Sequence, residues 1–242
     1  MRLHETEAVV LRRKKITAND CYLTLFSRSM GRVEVFARNG NHPKSPLLAG
    51  SQPFVYGLFS LSGSKAFQLR SVIVHDNFYH LRSDISTMLL ASYLAQVVLA
   101  LTQERESNKV LFEALVNSLA LLEKFPELGD AILVHFYAVC LTQLGIKPAT
   151  EACAVCSEPD APWFDVAAGG RVCQEHQTDQ SFEASEQIAL LDSALSLRVK
   201  DFLNRHSQEE ELCSLQRLIE DYIDYHLDTQ LRETRNQLQD YQ

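Results

Sequence analysis

Four side chains in the second half of the sequence carry spacing suited to metal chemistry. Cys153 and Cys156 form a C-x2-C pair, and sixteen residues later Cys173 and His176 form a C-x2-H pair. An x2 spacer lets two donors on one tight turn reach a single ion, and two such knuckles complete a four-donor sphere. Zinc takes four N or S donors at tetrahedral corners, about 2.0–2.3 Å away. Four protein donors leave no open position for a substrate, so the spacing points to a structural zinc ion. Should His176 not be the fourth donor, Glu175 or water takes its place. The same residues admit two other readings, an empty site held by hydrogen bonds and a redox C-x2-C. The redox motif should follow a strand and open a helix. A zinc deaminase would need H-x-E with P-C-x-x-C, and neither occurs.

A second set of residues is suited to binding an anion. Arg12, Arg13, Lys14 and Lys15 are consecutive and read as a loop after the first strand. Arg28, Arg32 and Arg38 flank the next hairpin, and Lys44 lies in a long polar loop. Tyr22, Phe26, Phe36, Phe54, Tyr56, Phe59 and Phe67 are interleaved with them. Cations that track a backbone, with aromatic faces on which bases stack, are what a single-strand binder uses. The bland alternative is that the aromatics fill a barrel and the charges form a solvated face.

The charge balance separates these two sets. The formal net charge of −8 argues against a nucleic-acid binder when taken whole. Residues 1–80, however, hold eleven Lys and Arg against five Asp and Glu, net +6, which leaves −14 for residues 81–242. A change of sign between segments assigns them different jobs.

The elements that position both sets follow from periodicity. Ala8–Leu11, Cys21–Phe26, Arg32–Ala37, Phe54–Leu61 and Ala66–His75 read as five strands, most of them separated by turn signals. Five strands in so short a stretch fit a small barrel, with an OB-fold leading and an SH3-like barrel as the rival. Beyond His80 the period becomes 3.6. Helices are expected over Ser83–Leu101, Asn108–Phe125, Leu128–Leu144, Glu186–Asn204 and Glu209–Leu231, with Arg232–Gln242 as a frayed tail. Gly145 with Pro148 stops the third helix, and Glu209, Glu210 and Glu211 suit the start of the last. The segment 149–185 between the third and fourth helices is loop-rich and holds the cysteine cluster, with a hairpin expected over Pro162–Val172. Cys21, Cys140 and Cys213 read as small core residues. The architecture expected is therefore α+β and multidomain. A five-stranded OB-fold barrel at 1–80 precedes an α-helical domain at 81–242, which carries a zinc-finger-like insertion at 149–185.

Several classes are excluded or disfavoured. Hydrophobic residues at 46% offset ordering entropy, so wholesale disorder is ruled out. Met88–Leu101, the longest apolar run at 14 residues, is shorter than the roughly 20 a membrane span needs. No signal peptide opens the chain, so a cytoplasmic protein is expected. There is no P-loop, no G-x-S-x-G and no G-x-G-x-x-G.

Taken in order, the fragments resemble the bacterial DNA repair and recombination mediator family RecO. They are E-A-V-V-L-R (Glu7–Arg12), Y-L-T-L-F-S-R-S-M-G-R-V-E-V-F-A-R-N-G (Tyr22–Gly40), Lys44-Ser45, Q-P-F (Gln52–Phe54), A-S-Y-L-A (Ala91–Ala95) and L-G-I-K-P (Leu144–Pro148), then C-A-V-C and G-G-R-V-C. The resemblance covers about residues 1–176. It implies binding of single- and double-stranded DNA and annealing of complementary strands. It also implies work with RecR, and in many bacteria RecF, to load RecA onto strands coated by SSB, whose acidic C-terminal tail is contacted. It implies no nucleotide hydrolysis, and nucleoid association during repair. Two departures stand out. The loop after the third strand keeps Arg38 and Lys44 but lacks the intervening cations of the family, and His176 stands where relatives often have Cys. Two rival functions are a helical, zinc-bearing interaction adaptor with minor DNA contact, and a metal-dependent hydrolase or deaminase.

Overall fold

The computed structural model describes residues 3–206 and 211–239. Two compact units divide between Lys124 and Phe125. In the first, strands β1 (Leu3–Lys15), β2 (Cys21–Ser27), β3 (Gly31–Ala37), β4 (Tyr56–Gly63) and β5 (Phe67–Asp76) close into a barrel in the order β1-β2-β3-β5-β4. All pairs are antiparallel except β3–β5, which meet in parallel at Val35↔Phe67 and Phe36↔Gln68. The period-two apolar phase of each strand fills the interior, with Ala8, Val10, Leu23, Leu25, Val33, Val35, Phe59 and Leu69 in one buried cluster.

β1 is longer than the sequence pattern indicates, because it serves two partners. Its first half pairs with β4 and its second with β2. Consequently Arg12–Lys15 are not a loop but the second half of this strand, opposite Thr24, Leu23, Tyr22 and Cys21. The register slips by one residue at Leu11, between the pairs Val10↔Leu25 and Arg12↔Thr24.

Two helices complete the first unit. α1 (Ile85–Leu101) is capped by the Asp84 carboxylate, which accepts from the Thr87 amide, and α2 (Lys109–Lys124) by the Asn108 side chain, which accepts from Leu111. The chain between them runs along β3, where the Arg105 amide donates to the Arg32 carbonyl at 2.9 Å. Gly31 makes this approach possible: it has φ +67°, and a Cβ there would lie 2.1 Å from the Glu106 carbonyl oxygen. Phe112 of α2 covers Phe26 and Tyr56, at ring separations of 6.0 and 6.2 Å.

In the second unit α3 (Gly129–Gln143) is buried on most sides and packs against α4 (Ser185–Ser196), α5 (Val199–His206) and α6 (Leu212–Leu227). α3 ends in a Schellman arrangement at Gly145, where the Ile146 amide reaches the Leu141 carbonyl and the Gly145 amide that of Thr142. The segment between α3 and α4 carries β6 (Trp163–Asp165), β7 (Gly170–Val172) and β8 (Phe182–Glu183), ordered β7-β6-β8. β6 and β7 are the expected hairpin.

Three helical expectations need correction. The single helix over Glu186–Asn204 is two helices, broken at Leu197, whose extended backbone turns its carbonyl to the His135 ring at 3.2 Å. The helix expected over Glu209–Leu231 ends at Asp228 in the left-handed region; Glu209 and Glu210 lie outside the described residues. Arg232–Gln242 is not a frayed tail as far as it is described, because α7 (Leu231–Gln239) is tied to α6. The Asp224 carboxylate accepts from the Leu231 and Arg232 amides, and Arg235 pairs with buried Glu220 at 3.0 Å. Of the three isolated cysteines, Cys21 and Cys140 are buried, whereas Cys213 is exposed beside Asp130. Among the described residues, no helix is long and apolar enough to cross a membrane.

One ion-pair network joins the barrel to α2. Arg28 donates to Glu7 at 2.8 Å and to Glu113 at 2.7 Å, and the Tyr56 hydroxyl donates to Glu7. The hydrogen bond from Arg28, then that from Tyr56, holds the Glu7 carboxyl below its usual range. A folded-state pKa below the unfolded one stabilises fully above the unfolded value, about 4 for a carboxylate, and that stabilisation is lost as pH falls through the folded value. Glu7→Gln should therefore lower the urea midpoint at pH 7, and the gap to the parent should narrow as the pH drops below about 4. A gap of equal size at pH 7 and pH 3 would contradict this role.

Candidate functional site

The four metal-type side chains converge. Cys153 Sγ lies 3.8 Å from His176 Nδ1, Cys173 Sγ lies 3.2 Å from the same nitrogen, and Cys156 Sγ lies 3.7 Å from Cys173 Sγ. All four donor atoms fall within 4.8 Å of one another. The edge of a tetrahedron with about 2.3 Å metal bonds is about 3.8 Å, so the donor set fits a zinc-sized ion.

Each knuckle is set by its own backbone. The Ser157 amide donates to the Cys153 carbonyl at 2.8 Å, with Ser157 at φ +65°, which closes the first turn. Cys173 leaves β7, and the His176 amide returns to its carbonyl at 3.1 Å. The Ala154 amide donates to the Arg171 carbonyl, joining the two knuckles. Burial raises the Cys153 thiol, but the amides of Cys156, Cys173 and Val155 outweigh it and bring it down to about 6. At Cys156 the Glu158 amide lowers the thiol, while burial and the neighbouring Cys153 and Cys173 raise it further, to about 11. A bound divalent cation would relieve that repulsion, since a coordinating thiol is deprotonated outright. The element rests on α6, with Phe164 6.0 Å from the Tyr222 ring and the His226 ring bonded to the Val166 carbonyl at 2.8 Å.

On the barrel, register places residues that sequence alone leaves unconnected. Directly paired residues share a face of the sheet. One outward row therefore crosses all five strands as Lys14, Tyr22, Phe36, Gln68 and Ser62. The next row holds Arg12, Thr24 and Glu34. A third, Val9, Phe26 and Arg32, lies under the helices, with Phe26 buried and the Arg32 guanidinium bonded to the Leu99 carbonyl. The open end of the outer face thus presents Tyr22, 45% exposed, and half-buried Phe36, with ring centroids 5.5 Å apart. Of the other interleaved aromatics, Phe26, Phe54, Phe59 and Phe67 are buried and Tyr56 is half-buried.

The eight cations separate into two groups. Arg12, Lys14, Lys15, Arg38 and Lys44 are exposed. Arg28 is exposed as well but is engaged by Glu7 and Glu113, and Arg32 is engaged by α1. Arg13 sits in the inward phase opposite Leu23 and closes the barrel end, donating to Gln52 Oε1 and the Gly40 carbonyl at 3.3 Å each, and to Asn41 Oδ1. Gln68 and Ser62 were missed by sequence reasoning. The one available signal was parity: Tyr22 and Phe36 fall out of phase with Leu23, Leu25, Val33 and Val35.

This division has a measurable consequence. Arg13→Ala should destabilise the protein by about 1–3 kcal/mol, because it strips partners from half-buried polar groups. Arg12→Ala should stay within about 0.5 kcal/mol, as surface substitutions do. Denaturant melts of the two variants decide it, and equal losses would remove the distinction.

Comparison with known proteins identifies the family. The family model described as recombination protein O, N terminal, matches residues 1–77, and that described as recombination protein O, C terminal, matches residues 82–235. The DNA repair protein RecO of Alkaliphilus metalliredigens is 30% identical over 236 residues, covering 93% of this chain and 94% of the relative. That of an Exiguobacterium species is 28% identical over 236 residues, covering 96% and 94%. That of Desulfitobacterium hafniense is 30% identical over 189 residues, covering 76% and 68%. Two family models that together span the barrel, the helices and the cysteine element, with relatives aligned along nearly the whole chain, place it: this chain belongs to the recombination protein O (RecO) family of DNA repair proteins.

Proposed function

We propose that the protein is a non-catalytic recombination mediator that binds single- and double-stranded DNA through an N-terminal OB-fold, residues 1–80, and anneals complementary strands. The observation that carries this reading is the set of five exposed cations, Arg12, Lys14, Lys15, Arg38 and Lys44, on a barrel whose outer face remains open around Tyr22 and Phe36. Cations placed there neutralise phosphates and lower the repulsion between two strands, while base pairing supplies the sequence information. The strand order of the barrel supports the OB-type assignment, whose nucleic-acid face is the outer side of its second and third strands. The resemblance supplies the partners: RecR, the C-terminal tail of SSB taken in a groove of the helical domain 81–242, and through them RecF and RecA.

Zinc held by Cys153, Cys156, Cys173 and His176 would staple segment 149–185 between α3 and α4. The ion would supply folding energy and no catalysis. A second reading, an adaptor with minor DNA contact, is favoured by one observation, the −14 charge of residues 81–242. It puts protein partners on the helical part and leaves DNA contact minor.

Annealing of complementary oligonucleotides across a salt series tests the main reading. Annealing should weaken as salt rises. The slope of log affinity against log salt for a single strand should flatten by about 0.7 per cation removed in Arg12→Ala, Lys14→Ala and Arg38→Ala. Salt-insensitive or absent annealing overturns it in favour of the adaptor. For the metal, elemental analysis should find about one zinc per chain. Cys173→Ser should lose the metal together with thermal stability; full stability without metal would overturn the stapling role.

A further inference from the structure

β5 has a neighbour on both sides for only part of its length. It pairs with β4 from Phe67 to Asp76, but it meets β3 only at Phe67 and Gln68, because β3 ends at Ala37. Among the described residues, no backbone-to-backbone hydrogen bond joins Ser71–Asp76 to an element other than β4. The second half of β5 is therefore an open edge in an otherwise closed barrel. Register shifts set Arg70 and His75 off the β4 ladder and leave Ser71–Val74 regular, opposite Ser60, Phe59, Leu58 and Gly57. Val72 and Val74 share the inward phase of Phe59, and Ile73 the outward phase of Leu58. Ile73 is 62% exposed and Val74 39%. Open edges are templates for another strand, and proteins blunt them with Lys, Pro or inward charges. None of these interrupts S-V-I-V (Ser71–Val74).

The charges at the ends of this stretch decide which strand fits it. Arg70 precedes it and Asp76 follows it, and both are exposed. Each is held at the strand: Arg70 Nε donates to Ser62 Oγ at 2.6 Å, and Asp76 Oδ1 accepts from the Phe78 amide at 2.9 Å. Laid antiparallel on itself about a two-fold axis at Ile73, the segment R-S-V-I-V-H-D (Arg70–Asp76) matches itself. Ile73 meets Ile73, Val72 meets Val74, Ser71 meets His75, and Arg70 meets Asp76 at both ends. Opposite charges and β-branched pairs directly across strands are stabilising. A slip of one residue sets inward-phase Val72 opposite outward-phase Ile73 and separates both charge pairs. We propose that the second half of β5 is a self-complementary edge, onto which a second copy of this chain adds its own β5, continuing the sheet from one barrel to the next. Such an interface is isologous and closes at two copies. A single strand edge buries less than the roughly 1,200 Å² of a standard interface, so the pair is transient and forms with concentration. The inference stands apart from the DNA-binding reading, since none of the cations assigned to DNA lies on β5.

The test is sedimentation of the full chain from about 1 µM to about 1 mM. A reductant is present, so that the exposed Cys156 and Cys213 do not link copies. The weight-average mass should rise from one chain toward two and stop there. Ile73→Lys sets two like charges on the axis at an exposed position, and it should weaken association about tenfold or more. Asp76→Arg brings like charges together at both ends and should also weaken it. Adding Arg70→Asp to that variant restores opposite signs and should restore the pair. Thermal melts confirm that each variant is folded, and Ile73→Lys carries the test alone if the charge variants are not. A mass of one chain throughout leaves the edge to a strand of another protein and overturns the proposal. A mass that climbs past two chains, association of equal strength in Ile73→Lys, or no recovery in the folded double variant overturns it as well.

Discussion

A one-residue slip in strand β1 decides what the barrel shows to solvent. Ala8 and Val10 point inward, so an uninterrupted strand would send Arg12 and Lys14 into the core and Arg13 and Lys15 outward. The bulge at Leu11 reverses the phase. Arg12 and Lys14 reach the outer face, level with Thr24 and Tyr22, while Arg13 turns back to cap the barrel end. A run of four cations that looks uniform in sequence is thus divided between surface charge and architecture.

The outer face itself is divided by the helices. α2 buries Phe26 beneath Phe112, and α1 takes the Arg32 guanidinium on its Leu99 carbonyl, so half of the β2–β3 surface is structural. Tyr22 and Phe36 keep their exposure because they lie two rows further along, beyond the reach of the helices. In the second unit, the cysteine element is fixed by an aromatic and a hydrogen bond to α6 as well as by its own turns. Its donor geometry comes from the backbone of both knuckles, joined where Ala154 meets Arg171.

Local features were legible in the sequence and long-range ones were not. Short apolar and alternating runs bounded by turn signals located all five strands, and the two x2 pairs located the Cys and His donors, because each depends on spacing within a few residues. The length of β1 was not legible, since half of it is held by β4, some fifty residues away. The break at Leu197 depends on His135, and the order of α7 depends on Asp224 and Glu220. In each case a tertiary partner overrides the local pattern. The outward aromatic row was illegible for the same reason. Tyr22, Phe36 and Gln68 are neighbours only through the register of three strands, one of them parallel. Which of Arg12 and Arg13 faces outward is set by the bulge, and nothing in R-R-K-K announces one.

The pairing of Leu3 with Ser62 carries a consequence for biosynthesis. β1 leaves the ribosome before β4, and its amino-terminal half stays unpaired until β4 has been made. At about 5–20 residues per second, several seconds separate the two. During that interval β2 and β3 can form a hairpin, and the carboxy-terminal half of β1 can join it, but the cylinder cannot close. Gly31 then waits longer still for the backbone of Glu106 to cross it. The nascent chain therefore carries the cations of β1 on an incomplete sheet well before the acidic helices emerge.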